Sequence, residues 1–164
     1  MRPEALNWSV ENCPIGRTME LLGERWTVVV LREVFNGIRR FDDMRARTGI
    51  PRQVLANRLS TLVEQGVLRQ APYQEPGARQ RHEYRLTEKG FDLYPVLLAV
   101  HDWGERYLSG PAGSPSRFAH AGCGASVHAT LRCEDGHHVT AVRDVRPLPG
   151  PGAVRRDHAE SSVS

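Results

Sequence analysis

Two groups of residues in this chain have the types and spacing to do chemistry. In the first, Gln53, Asn57, Ser60 and Thr61 recur at about one-turn intervals, so a helix would turn them to one side. Their side chains donate and accept hydrogen bonds, and an Asn or Gln amide can hold an adenine edge at two points. Arginines surround them, with Arg39, Arg40, Arg52 and Arg58 close in sequence and Arg79 and Arg81 a little downstream. Guanidinium groups so placed neutralise phosphates. The second group is made of thiols and imidazoles. Cys13 stands just before Pro14, and His120, Cys123, Cys133 and His137 lie together near the C-terminus. Ser-His-Asp spacing, a Gly-rich phosphate loop and a paired-carboxylate motif are all missing, so the chain does not read as an enzyme.

The elements around the first group are legible. Leu55, Leu59, Leu62 and Val63 fall at i, i+4, i+7 and i+8, which predicts an amphipathic helix over residues 52–66. Pro51 suits its first turn, Gly49 the turn before it, and Gly66 its end. A short helix over 41–48 precedes it, and strands over 67–73 and 81–86 follow, joined by the loop 74–80. That order is a winged helix-turn-helix, with its second helix in the major groove and its loop on the flanking backbone.

Charge supports this reading. Residues 38–90 carry eleven Lys/Arg against six Asp/Glu, an excess of +5, although the whole chain carries only +3. A basic segment between slightly acidic flanks is the footprint of phosphate binding; a merely solvated basic surface is the plainer alternative.

Flanking helices are expected over Pro14–Leu22 and over 24–35, and a longer one over 88–108. Thr87 is a good N-cap for the last, and Pro95 either starts a new segment or kinks it. The long helix is too apolar on one side to stay uncovered, so a second subunit is its expected cover. Ile15, Met19, Leu97, Val100 and Tyr107 are the expected dimerisation residues. The fold class is therefore mainly α with a small β-wing, with flanking dimerisation helices and a small C-terminal β-hairpin extension. The expected divisions are a DNA-binding and dimerisation domain at 13–109, a linker at 110–116, the extension at 117–146 and a disordered tail at 147–164. Residues 1–10 carry no secretion signal and the longest apolar runs are too short to span a membrane, so no membrane partner is expected. Three cysteines in such a chain suit a reducing, cytoplasmic compartment.

The residues GERWT at 23–27, RRF at 39–41, NRL at 57–59, EYRLT at 83–87, then Gly90 and Trp103-Gly104 occur in order. Together they resemble the HxlR-type branch of the MarR-like regulators, over roughly 13–108. The stretch beyond looks like an extension carried by some actinobacterial members. The resemblance implies a homodimeric regulator, here read as a repressor. Its partner would be a pseudo-palindromic double-stranded DNA operator, and a small molecule or an oxidant would release it. Two departures stand out. Pro51 occupies the place where many members have a capping Ser, and the wing is longer than the commonest form. The operator sequence therefore does not carry over.

The sensing residues leave alternatives open. Cys13 at a helix start suits a thiolate, with Arg17 one turn on, and several regulators of the resembled type sense oxidants at this place; a packed thiol is the other reading. Trp26 and Trp103 could wall an apolar crevice for a small aromatic or hydrophobic effector, although their helical spacing also fits core residues. His120, Cys123, Cys133 and His137 have the type and count of a tetrahedral zinc set. A Cys123–Cys133 pairing under oxidation and a plain hairpin with incidental thiols remain beside it. No cofactor is required by the regulatory reading. From a different functional class, a winged-helix protein-interaction module without a DNA-binding role stays as the alternative.

Overall fold

The computed structural model describes residues 8–77 and 79–155. The N-terminal residues before Trp8 and the part of the expected tail beyond Arg155 lie outside the described residues. The chain divides into two compact units. One runs from Leu22 to Ala129; the other joins the stretch up to Leu21 with that from Thr130 onward.

Within the larger unit, α2 (Arg25–Phe35), α3 (Phe41–Thr48) and α4 (Arg52–Glu64) form the helical part. Strands β1 (Leu68–Tyr73) and β2 (Arg81–Leu86) form an antiparallel wing in the register Leu68↔Leu86 to Tyr73↔Arg81. The expected apolar stripe of α4 is realised: Leu55, Leu59 and Leu62 are fully buried, with Val63 half-buried at its edge. Burying a leucine of this kind stabilises by about 1.5–3 kcal/mol. Val30 and Leu31 from α2, Met44 from α3, Ile50 from the turn and Leu68 from β1 complete the core.

The turn between α3 and α4 follows from its residues. Gly49 caps α3 in the left-handed region at φ 69°, where a Cβ would be strained. Pro51 is the N-cap of α4, one position before the first helical residue, with ψ at 137°. Inside the wing, β2 is flanked on one side by β1 and on the other by a bridge from Arg40 to Glu83. The Tyr84 N–H donates to the Arg39 carbonyl at 2.8 Å on that side. β1 is therefore the edge strand, the position at which Pro72 costs least.

The apolar run after the wing divides in two, α5 (Glu88–Phe91) and α6 (Tyr94–Leu108), with Pro95 at the start of α6. Of the two readings of Pro95, the structure takes the new segment. Thr87 caps α5 by accepting from the Gly90 N–H at 3.1 Å, while its hydroxyl donates to the Gly66 carbonyl at 2.6 Å. Gly90 itself is buried, and a Cβ there would stand 2.3 Å from the Val67 carbonyl oxygen.

The larger unit extends past the expected domain end at 109. The Ser114 hydroxyl lies 3.3 Å from His101 Nε2, and Phe118 packs edge-on to His101 and Tyr94. The Ala129 N–H donates to Asp102 at 2.8 Å. The stretch expected as linker and the first part of the extension are thus strapped along α6. Sequence composition alone could not show this, because single Ser, Phe and Ala residues anchor it.

In the smaller unit, α1 (Pro14–Leu22) carries an apolar face with Ile15 74% and Met19 48% exposed. The expected hairpin of the extension is present as β3 (Leu131–Arg132) and β4 (His138–Val139), antiparallel and two residues each. Part of the stretch expected as a disordered tail is placed. The Ser9 N–H donates to the Val154 carbonyl at 2.8 Å, and Trp8 bridges to Arg155. None of the described helices is long and apolar enough to cross a membrane.

Candidate nucleic-acid interface

The outer face of α4 carries Gln53, Asn57, Ser60 and Glu64, all exposed and opposite the leucine stripe. These side chains are tied to one another. Gln53 Nε2 donates to Asn57 Oδ1 at 2.9 Å, and the Ser60 hydroxyl donates to Glu64 at 2.8 Å. The Thr61 hydroxyl bonds back to the Asn57 carbonyl at 3.0 Å and is half-buried, so it has less freedom to meet a base than its neighbours. Arg52 is exposed at the helix start with its guanidinium 5.3 Å from the Phe41 ring. Arg58 turns away from this face: it is half-buried, 3.9 Å from Glu24 at the start of α2.

The wing brings the other arginines to one side. Arg40, Asp42, Asp43, Tyr73, Glu75, Arg79 and Arg81 line a shallow pocket of about 160 Å³. Arg40 stacks 4.3 Å from the Tyr73 ring and bonds Glu75. The Glu75 hydrogen bond pushes the Arg40 guanidinium further toward its charged form, against the opposing effect of desolvation. Arg81 pairs with Asp42 at 3.3 Å. Arg39 and Arg79 are exposed and have no ion pair among the described residues. The acidic partners are what residue-by-residue reading missed. Asp42 lies 39 positions and Glu75 35 positions from the arginine it meets, and no local pattern joins residues so far apart in sequence.

Glu33 is the other residue that sequence reasoning missed. Its carboxylate is fully buried in α2, bonded by Arg32 Nε at 2.8 Å, with Arg47 Nε from α3 2.7 Å from its second oxygen. The Arg47 contact is an ion pair whose N–H is not aimed along a hydrogen-bond direction. It joins the first helix of the helix-turn-helix to the helix behind it. A buried charge is tolerated only when so paired.

The remaining expected site residues are dispersed. On α6, Val100 and Tyr107 are exposed as expected, whereas Leu97 is half-buried, and Val96 and Trp103 join the exposed face in its place. Val96, Val100, Trp103 and Tyr107 follow at i, i+4, i+7 and i+11, one continuous stripe. Trp103 and Tyr107 pack with ring centroids 5.4 Å apart in an open pocket of about 590 Å³. The pocket walls are Asp102, Glu105, Arg106, His128 and Ala129 besides these rings. Trp26 is not among them; it is half-buried, with Arg25 over its ring at 4.5 Å. The two tryptophans therefore do not share this pocket, and its walls are charged where an apolar crevice was expected, because α6 alternates its aromatic and charged residues.

Cys13 is half-buried immediately before α1, and its carbonyl accepts from the Arg17 N–H at 3.0 Å. The expected zinc ligands form one Cys–His pair in each unit. His120 Nδ1 lies 3.3 Å from Cys123 Sγ in the larger unit, and Cys133 Sγ lies 3.4 Å from His137 Nδ1 in the smaller. All three cysteines are free thiols.

An exposed hydrogen-bonding helix face, held on a buried leucine stripe beside an arginine-bearing wing, defines a winged helix-turn-helix DNA-binding protein. Comparison with known proteins carries this to a family: the HxlR-like helix-turn-helix family matches residues 21–111. The chain belongs to that family and is an HxlR-type, MarR-like transcriptional regulator. An HTH-type transcriptional regulator of Mycobacterium tuberculosis is 44% identical over 148 residues, covering 90% of this chain and 92% of the relative. The solved structure of the transcription factor PA1607 is 35% identical with a TM-score of 0.75, covering 85% of this chain and 96% of its own. The redox regulator HypR in its reduced form is 26% identical with a TM-score of 0.51, covering 57% of this chain and 91% of its own. The first two matches are longer than the family segment and so run into the extension. These relatives bear the names of a transcriptional regulator, a transcription factor and a redox regulator.

Proposed function

We propose that this regulator is a homodimeric repressor that binds a pseudo-palindromic operator through α4 and the wing and is released by a small molecule or an oxidant. The observation that carries the reading is the exposed Gln53–Asn57–Ser60 face of α4, together with the exposed Arg39, Arg52, Arg79 and Arg81 of the helix-turn-helix and wing. Gln53 and Asn57 read base edges, with Ser60 and Thr61 beside them. Arg39, Arg40, Arg52, Arg79 and Arg81 bind phosphates, those in ion pairs exchanging a carboxylate for the DNA backbone, while Arg58, turned to Glu24, stays behind the face. Dimerisation is supported by two uncovered apolar faces, Ile15 with Met19 on α1 and the Val96–Tyr107 stripe on α6, which water would otherwise bathe. A two-fold axis then sets the recognition helices about one DNA turn, ~34 Å, apart.

For release, the Trp103–Tyr107 pocket takes a small aromatic effector once a second copy closes it, with Trp26 a wall or packing residue. Cys13 takes an oxidant or electrophile, and the likeness to a protein named as a redox regulator favours testing that route. The deciding experiment is a titration of the purified protein onto the DNA beside its own gene at several salt concentrations. Binding with a steep inverse salt dependence and protection of an inverted repeat is expected. Equal, weak binding to every duplex would favour the protein-interaction module instead. Repeating the titration with Cys13→Ser and an added oxidant separates the two release routes.

A further inference from the structure

The extension beyond Thr130 has a fold without a core. Among its described residues none is buried: Leu131 is 67% exposed and Val142 93% exposed, and each hairpin strand has only two residues. Segments this small rarely hold together on hydrophobic burial, and a structural metal is a common substitute. The hairpin turn gathers suitable donors. Cys133 Sγ, His137 Nδ1 and an Asp135 carboxylate oxygen lie within 4.8 Å of one another. The turn that brings them together is defined by its backbone, with the Cys133 N–H donating to the His137 carbonyl at 3.0 Å. The Gly136 N–H donates to the Cys133 carbonyl at 2.9 Å. Gly136 sits at φ 84°, a conformation a side chain would strain.

The donor spacing fits zinc, as it also fits the Cys133–His137 hydrogen bond and the His120–Cys123 pair at 3.3 Å; the third donor, Asp135, sets this turn apart. Zinc–sulfur and zinc–nitrogen bonds near 2.3 and 2.05 Å at a tetrahedral angle put the two donor atoms about 3.5 Å apart. Cys133 Sγ and His137 Nδ1 are already 3.4 Å apart. Asp135 is exposed and can turn its carboxylate inward at little cost. A thiolate, an imidazole and one carboxylate suit zinc better than calcium or magnesium, which prefer oxygen donors alone.

We propose that the β3–β4 hairpin holds a Zn²⁺ ion through the Cys133 thiolate, His137 Nδ1 and Asp135, leaving the fourth position for water. Binding forms the Zn–S bond as the Cys133 thiol gives its proton to solvent, with no change of oxidation state. The ion's role is to order the extension.

The test uses the full chain, purified with a non-thiol reductant and no chelator. Elemental analysis is expected to find one zinc per chain. Cobalt(II) added to stripped protein is expected to give a thiolate charge-transfer band and the visible bands of a tetrahedral site. Cys133→Ser should abolish the charge-transfer band. His137→Asn should weaken binding by more than the roughly 10–100-fold that loss of an outer-shell partner costs, and Asp135→Asn should weaken it less. Cys123→Ser, in the turn with the other Cys–His pair, should leave band and stoichiometry unchanged. Far-UV circular dichroism checks that each variant keeps its helices. The proposal is overturned if the unaltered protein neither carries zinc nor binds cobalt more tightly than Cys133→Ser. It is equally overturned if Cys133→Ser keeps the band, or if Cys123→Ser loses it.

Discussion

At the scale of single residues, the proposed recognition face is already hydrogen-bonded within the free protein. The Gln53–Asn57 hydrogen bond holds two amides side by side, so the ordering cost is met during folding and not on binding. Asn57→Ala should therefore cost ~1–3 kcal/mol at particular base pairs, read as a position-specific loss in binding to a panel of operator variants. A loss spread evenly over all positions would move Asn57 to a phosphate or structural role. Glu33 acts differently, because it touches no surface a ligand could reach. Glu33→Ala removes the charged hydrogen bond from Arg32, a kind worth about 1.5–3 kcal/mol, together with the Arg47 ion pair that joins α2 to α3. Arg32 and Arg47 are about half exposed, and water can take over their charge, which keeps the loss from growing larger. Denaturant unfolding is expected to show it as a lower midpoint with an unchanged slope.

At the scale of elements, the wing and the α6 strap both depend on partners distant in sequence. Asp42 and Glu75 occupy guanidinium groups that the proposed complex gives to phosphates. Asp42→Asn and Glu75→Gln should therefore tighten binding to every DNA sequence alike, whereas Arg79→Ala should weaken it and reduce the salt slope by about one. If the two acid variants bind no more tightly, the wing does not lie on the backbone. The strap rests on Asp102. Burial raises its carboxyl pKa, but the Ala129 N–H together with His128 and His101 outweighs this and holds it below the ordinary value. A carboxyl depressed on folding contributes stability that is complete above its unfolded pKa and lost as pH falls through the folded one. Protection of the Ala129 amide, its exchange rate compared with the intrinsic rate at the same pH, should accordingly be kept near neutrality and fall in acid, below the usual carboxylate range. Asp102→Asn should show no such acid step, having no carboxyl to protonate. Exchange in the unaltered protein that shows no such acid step would detach Ala129 from the carboxylate.

At the scale of the whole molecule, the uncovered faces of α1 and α6 make the oligomeric state the first property to measure. Light scattering at micromolar concentration is expected to give twice the chain mass. Val100→Asp should yield a monomer, because a charge at a packed seam is left without a partner. That monomer should also lose operator affinity, since one half-site binds without the gain of a tethered second. A dimer that survives both Val100→Asp and Met19→Asp would place the seam elsewhere.

Much of this was legible in the sequence because it rests on local rules. Four residues at helical spacing define the α4 stripe, Gly49 and Gly66 are needed where the backbone turns left-handed, and Thr87 caps the helix it precedes. The recognition face follows from the same periodicity, being whatever lies opposite the leucines. Tertiary structure alone decided which arginines are free. Arg58 turns to Glu24 and Arg81 to Asp42, and such pairings depend on how elements fold over one another. It also decided that the stretch after α6 divides, with Ser114, Phe118 and Ala129 held along α6 and the β3–β4 hairpin left without a core. Periodicity specifies one element's buried face, whereas contacts between distant residues arise only once several such faces have met.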